Sequence, residues 1–128
     1  MNDTPSPPPS KTSALGKTGE AAAAEFLRTQ GYELIEVNWH ARVGEIDLVA
    51  RQGDQWVFVE VKTRRSNSAA PLEAITPRKR ERMIRAAYMY ANSHHIEDGD
   101  WRIDAIAVTL DHNNRARIEH IQDVLTWE

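Results

Sequence analysis

The chain has 128 residues, 41% of them apolar, no cysteine and a formal net charge of −3 at pH 7. That is one domain with enough apolar material for a core, and the lack of cysteine excludes disulfides, thiolate zinc sites and thiol nucleophiles while fitting a reducing cytoplasm. The negative balance argues against coating nucleic acid by bulk electrostatics. Met1 to Ser10 has neither a basic n-region nor an apolar h-region, and no later run reaches membrane-spanning length, so a soluble cytoplasmic protein with no membrane partner is expected.

Residues 1–12, rich in Pro, Ser and Thr, read as a disordered tail, and residues 13–128 as a single domain. Gly16 to Gln30 reads as a helix closed by Gly31. Within it Glu20, Ala23, Ala24 and Leu27 stand at i, i+3, i+4 and i+7, which puts Glu20 on or beside the packed face. A carboxylate there needs a partner. The plainer alternative is a first-turn acid interacting with the helix dipole. Tyr32 to Val37 alternates as a strand, with Ile35 and Val37 on one face, and residues 38–43 are expected to connect it to the next strand.

Gly44 to Arg51 and Trp56 to Thr63 are two alternating runs around Gln52-Gly53-Asp54-Gln55, the signature of a β-hairpin. With Gly53-Asp54 as the two central turn residues, Gln52 faces Gln55 and Asp47 faces Glu60. Strict alternation then puts Glu45, Asp47 and Val49 on one side with Phe58, Glu60 and Lys62, and Ile46, Leu48, Val57, Val59 and Val61 on the other. Directly opposed carboxylates destabilise a sheet unless something neutralises them. Hard carboxylate oxygens without thiolates or a histidine pair suit Mg²⁺ or Mn²⁺ better than zinc. The plainer alternative is a solvated face on which Glu45 and Lys62 form an ordinary cross-strand ion pair.

The middle of the chain is basic: Lys62, Arg64, Arg65, Arg78, Lys79, Arg80, Arg82 and Arg85 face only Glu73 and Glu81. Such a run reads either as a solvated helix flank or as a phosphate-binding rim. Residues 64–77 are expected to form a loop. Thr76-Pro77 opens a second helix, Thr as N-cap and Pro at N1, with Met83, Ile84, Ala87, Tyr88 and Ala91 as its buried stripe. Trp101 to Leu110 and Arg117 to Ile121 read as two further strands around the turn signal of residues 111–114, giving the order α-β-β-β-α-β-β. Arg102 and Asp104 share a face and are read as a local ion pair or as hydrogen-bond support for the core. His94 and His95 fall at the end of the second helix and His40, His112 and His120 near turns or at exposed strand positions, none with ligand spacing to another. No glycine-rich phosphate loop occurs, so no organic cofactor is expected.

Gly19-Glu20, Asn38, Arg42, Gly44-Glu45-Ile46-Asp47-Leu48, Phe58-Val59-Glu60-Val61-Lys62-Thr63-Arg64, Lys79, Arg82 and Arg102-Ile103-Asp104 together resemble the uncharacterised bacterial YraN-like family, over about residues 14–123. That family is similar to the Holliday-junction-resolvase branch of the PD-(D/E)XK endonuclease-like superfamily. The resemblance implies an α/β fold with a restriction-endonuclease-like α-β-β-β-α-β core, a mixed central sheet flanked by helices. Asp47 corresponds to the first motif acid, Glu60-Val61-Lys62 to the acid-x-Lys and Glu20 to the helix acid of the resolvase branch. Ile46 stands where the superfamily pattern has proline.

What the resemblance implies for function is a metal-dependent endonuclease acting on DNA, in particular structured or branched DNA. Asp47, Glu60 and the Val61 carbonyl would hold Mg²⁺ or Mn²⁺, with Glu20 as a further ligand directly or through water. Lys62 would orient the attacking water and stabilise the transition state. Some subset of Arg42, Arg64, Arg65, Arg78, Lys79 and Arg82 would grip phosphates. Resolvase-like enzymes commonly dimerise, so a homodimer is an implied partner. The alternative function is a nuclease-fold binding or assembly protein that retains the acids without efficient turnover.

Overall fold

A computed structural model describes residues 14–68, 76–96 and 99–124. The expected tail over 1–12 and half of the expected loop, 69–75, lie outside the described residues. The elements are α1 (Ala14–Thr29), β1 (Glu33–Ala41), β2 (Gly44–Gln52), β3 (Gln55–Arg65), α2 (Pro77–Ser93), β4 (Asp100–Leu110) and β5 (Ala116–Ile121). The element order and the mixed α/β class are those expected from the sequence.

The five strands lie in chain order across one sheet. All neighbours run antiparallel except β3 and β4, which are parallel. A parallel pair needs a crossover, and α2 lies in it. Its N-terminus is built as read: Thr76 caps the helix by accepting from the Lys79 N–H at 3.1 Å, and Pro77 follows. Each helix covers one face. Ala23, Ala24 and Leu27 of α1 pack on Leu48, Ala50, Val57, Val59, Val61, Ile106 and Val108. Ala86, Ala87 and Tyr90 of α2 pack on Ile46, Val49, Phe58, Ile103 and Ala105. The buried stripe of α2 thus passes through Tyr90 and not the expected Tyr88, which is 61% exposed and meets Trp101 edge to face at 5.1 Å. Tyr90 is one i+3 step from Ala87, whereas Tyr88 lies about 100° round the helix from it.

The hairpin register is the expected one from Gln52↔Gln55 to Leu48↔Val59, with Gly53 at φ 60°, the positive value that the first turn position requires. Two expectations fail just beyond it. Residues 38–41 continue β1 and are not a connector, so the link to β2 is only the tight turn at Arg42-Val43. Strict alternation also breaks, because Ile46 packs with Val49 and Phe58 under α2 and not with Leu48. Both failures centre on Asn38. Its φ is 56° in mid-strand, between the pairs Val37↔Leu48 and Trp39↔Ile46, and Asn is among the few residues that take this backbone at low cost. The ladder pairs on either side of Asn38 and Asp47 hold residues that pack on different faces.

Candidate active site

Asp47 is fully buried one residue past the last pair of the β2–β3 ladder. The expected facing pair with Glu60 is not part of that ladder. The strands part there, and the Val61 N–H donates to Asp47 Oδ2 at 2.8 Å. Parting relieves the repulsion that two directly opposed carboxylates would suffer, and it anchors Asp47 on the backbone between Glu60 and Lys62. Asp47 Oδ1 and Glu20 Oε2 are also buried, and neither atom accepts a hydrogen bond.

Glu20 lies on α1 where that helix closely approaches β3. A Cβ added to Gly19 would lie 1.8 Å from Thr63 Oγ1, so only glycine lets the helix sit this near the strand. Glu20, the next residue, is 5% exposed. The alternative of a first-turn acid on the helix dipole does not hold, because α1 begins at Ala14 and has no acid in its first turn.

Glu60 comes from the α2 side. With Glu45, Ile46, Phe58 and Met83 it lines a narrow cleft between α2 and the hairpin. Lys62 Nζ lies 3.8 Å from Glu60 Oε2, and both side chains are largely covered, at 18% and 13% exposure. Glu45 pairs with His40 across β1–β2 at 3.2 Å, a partner that the sequence did not suggest because residues 38–41 read as a connector. Glu20 therefore arrives from the α1 face, Glu60 from the α2 face, and Asp47 stands at the gap between strands. Among the described residues no three His, Asp or Glu side chains stand close enough to form a ready-made metal cage. In donor chemistry the set fits a hard divalent cation, with carboxylate oxygens and a lysine but no thiolate. Binding would have to draw the carboxylates together.

The six expected phosphate-binding cations are not equivalent. Arg42 is exposed in the turn between β1 and β2. Arg82 is exposed on α2, whose backbone runs close over the start of β2: a Cβ on Gly44 would lie 3.4 Å from the Arg82 carbonyl oxygen. Arg78 is exposed and Lys79 half-buried in the first turn of α2, while Arg64 is half-buried on β3. Arg65 is engaged with the β4–β5 turn, donating through one amino group to the Asp111 carbonyl at 3.2 Å and to Asn114 Oδ1 at 2.8 Å.

Arg102 and Asp104 do form the ion pair read from the sequence, inside a larger network. Fully buried Asp104 accepts from Arg102 Nε and Nη2 at 2.9 and 3.1 Å and from the Asp123 N–H at 2.9 Å. His120 Nε2 lies 2.8 Å from its Oδ2. Arg102 further donates to the Tyr32 hydroxyl at 2.8 Å and to Gln55 Oε1. Burial raises the Asp104 pKa, but the hydrogen bonds from His120, Arg102 and Asp123 outweigh it and hold the carboxyl below the usual range. His120 is accordingly not at an exposed position: its side chain is 11% exposed, and its ring meets the edges of Phe26 and Tyr32.

The profile of the Uncharacterised protein family UPF0102 matches residues 19–108, which span Glu20, Asp47, Glu60, Lys62 and Asp104. The chain belongs to this family. A UPF0102 protein of Chloroflexus aurantiacus is 46% identical over 114 residues, covering 88% of this chain and 93% of the relative. One from Chlorobium chlorochromatii is 43% identical over 127 residues, covering 94% and 98%. A third, from Rhodococcus opacus, is 40% identical over 116 residues, covering 86% and 94%. The YraN-like resemblance read from the motifs and the UPF0102 match thus agree, and the described fold carries the α-β-β-β-α-β order expected from it.

Proposed function

We propose that this UPF0102 chain is a divalent-metal-dependent endonuclease that hydrolyses phosphodiester bonds in DNA, preferring structured or branched forms. One observation carries the reading: Asp47 is buried where the β2–β3 ladder opens, fixed to the Val61 amide between Glu60 and Lys62. Burying a carboxylate costs several kcal/mol unless a cation or hydrogen bonds compensate, and a strand gap is a poor place to bury one for packing alone. Asp47, Glu60 and the Val61 carbonyl would hold Mg²⁺ or Mn²⁺, with Glu20 as a further ligand directly or through water. The bound cation would lower the pKa of its water and offset charge on the scissile phosphate. Lys62 orients that water and stabilises the negative charge that develops. Arg42 and Arg82, near the start of β2, hold the flanking phosphates, and a homodimer would present two such sites to two strands.

The test is cleavage of labelled four-way-junction, flap, single-stranded and duplex DNA in Mg²⁺, Mn²⁺ or EDTA, beside Glu60→Ala. Metal-dependent cutting that Glu60→Ala loses is the expected result. The separation of the three acids favours a second reading, a nucleic-acid-binding or assembly protein that retains the acids. That reading predicts metal and DNA binding with no cleavage of any substrate in the panel.

A further inference from the structure

β3 does not end at Lys62, and its continuation on the same face is basic. Lys62 pairs with Ala107, which pairs with Glu119; Arg64 pairs with Thr109, which pairs with Arg117. Because side chains alternate along a strand, Glu60, Lys62, Arg64, Thr109 and Arg117 project from one face of the sheet. Beyond Arg65 the chain turns at Ser66, whose N–H donates to the Leu110 carbonyl at 2.8 Å. A second cleft opens at this end, lined by Ser66, Thr109, Asp111, Arg115 and Arg117. At 3.2–3.4 Å per residue and about 4.8 Å per strand, Arg117 Cα lies roughly 12 Å from Lys62 Cα, a span of about three to four nucleotides of rise along one strand.

The charges in this second cleft are arranged to leave two cations available. Arg115 and Arg117 are exposed, and their side chains make no ion pair or hydrogen bond among the described residues. Asp111 is turned to the loop: its Oδ1 accepts from the Asn113 and Arg115 N–H groups at 2.8 and 2.9 Å, and these bonds, that from Arg115 foremost, hold its carboxyl below the usual range. Arg65 pins the same turn through the Asp111 carbonyl and Asn114. Glu119, exposed in the Lys62 row, is the one acid on β5 beside this track.

The geometry points to a second phosphate site on the β4–β5 turn, in which Arg115 and Arg117, with the Ser66 and Thr109 hydroxyls, take the backbone of the DNA strand that leads away from Glu60 and Lys62. It rests on the nuclease reading for its choice of ligand. Arg65 acts as a positioning residue that holds the turn against β3.

The test is binding of labelled four-way-junction and duplex DNA by the full chain in EDTA, across a salt series, for wild type, Arg115→Ala/Arg117→Ala, Arg117→Lys and Arg28→Ala. Two lost phosphate contacts should flatten the slope of log K against log salt by about 1.8. Arg117→Lys, which keeps the charge, and Arg28→Ala, on the far side of α1, should retain the wild-type slope. Binding by wild type with an unchanged slope in the double variant overturns the site while leaving the nuclease reading intact. Binding with the expected slope change but no cutting in Mg²⁺ or Mn²⁺ overturns the nuclease reading and supports the phosphate track. No DNA binding by wild type overturns the track.

Discussion

Asp47 and Asp104 are both fully buried aspartates in a sheet, yet they are held in opposite ways. Asp104 is met by an arginine, a histidine and a backbone amide, so its charge is balanced and its oxygens are supplied with donors. Asp47 accepts from the Val61 backbone amide, which lies between Glu60 and Lys62, and no arginine or histidine is seen to donate to it as Arg102 and His120 do to Asp104 among the hydrogen bonds described. The first arrangement holds β4, β5 and the chain after α1 together without needing anything more. The second sets a buried aspartate beside Glu60 and Lys62 at a break in the sheet, and it is there that we propose a cation is bound.

The comparison breaks most visibly in stability. Asp104→Ala takes the carboxylate away from Arg102, a largely covered cation, and the expected loss is about 3 kcal/mol in urea unfolding. Asp47→Asn keeps an acceptor for the Val61 amide and removes negative charge, so its stability should stay within about 1 kcal/mol of wild type or rise. Equal losses in the two variants would erase the distinction.

Next in size is Gly19→Ala. Its methyl collides with Thr63, and overpacking of this kind costs about 1–3 kcal/mol. Because Glu20 moves with the helix, the variant should also lose its response to metal, measured by thermal melting with and without Mn²⁺. A destabilised variant with a full metal response would remove Glu20 from the site.

Acid titration sharpens the same contrast. The folded pKa of Asp104 lies below its unfolded value of about 3.9, so the stability it contributes is complete above that pH and is lost as pH falls through the folded pKa. Asp104→Asn should flatten the fall in unfolding free energy below about pH 4, whereas wild type shows it in full. The smallest effect concerns Tyr90, whose hydroxyl donates to Glu36 at 3.2 Å. Burial, then the Glu36 charge, push its pKa up to about 12. Its contribution is present below about pH 10 and is lost between there and the folded value. Tyr90→Phe should cost about 1 kcal/mol at neutral pH and abolish that alkaline loss.

Much of this arrangement could be read from the chain because its signals are local. Gly53-Asp54 between alternating runs set the hairpin register, and Thr76-Pro77 set the start of α2. The ion pair of Arg102 and Asp104 followed from two residues on one strand face. Other features were hidden because they depend on distant partners or on one unusual backbone angle. Asn38 in the left-handed region turned an apparent connector into strand and split the alternation of β2 at the position of Asp47. The partners that enlarge the Asp104 network, His120, Tyr32 and Gln55, come from separate elements that only the folded sheet brings together. Gly19 entered only as a motif residue beside Glu20, and its packing role emerged from the position of Thr63.

The central claim is that the acids around Asp47 form a cation site. Thermal unfolding of wild type and Asp47→Asn with increasing Mn²⁺ or Mg²⁺ tests it most directly, since a ligand bound only by the folded state adds about 2.7 kcal/mol at a hundredfold excess over its Kd. A saturable rise in Tm for wild type that Asp47→Asn lacks is the predicted result. No rise in either protein, or the same rise in both, would contradict it.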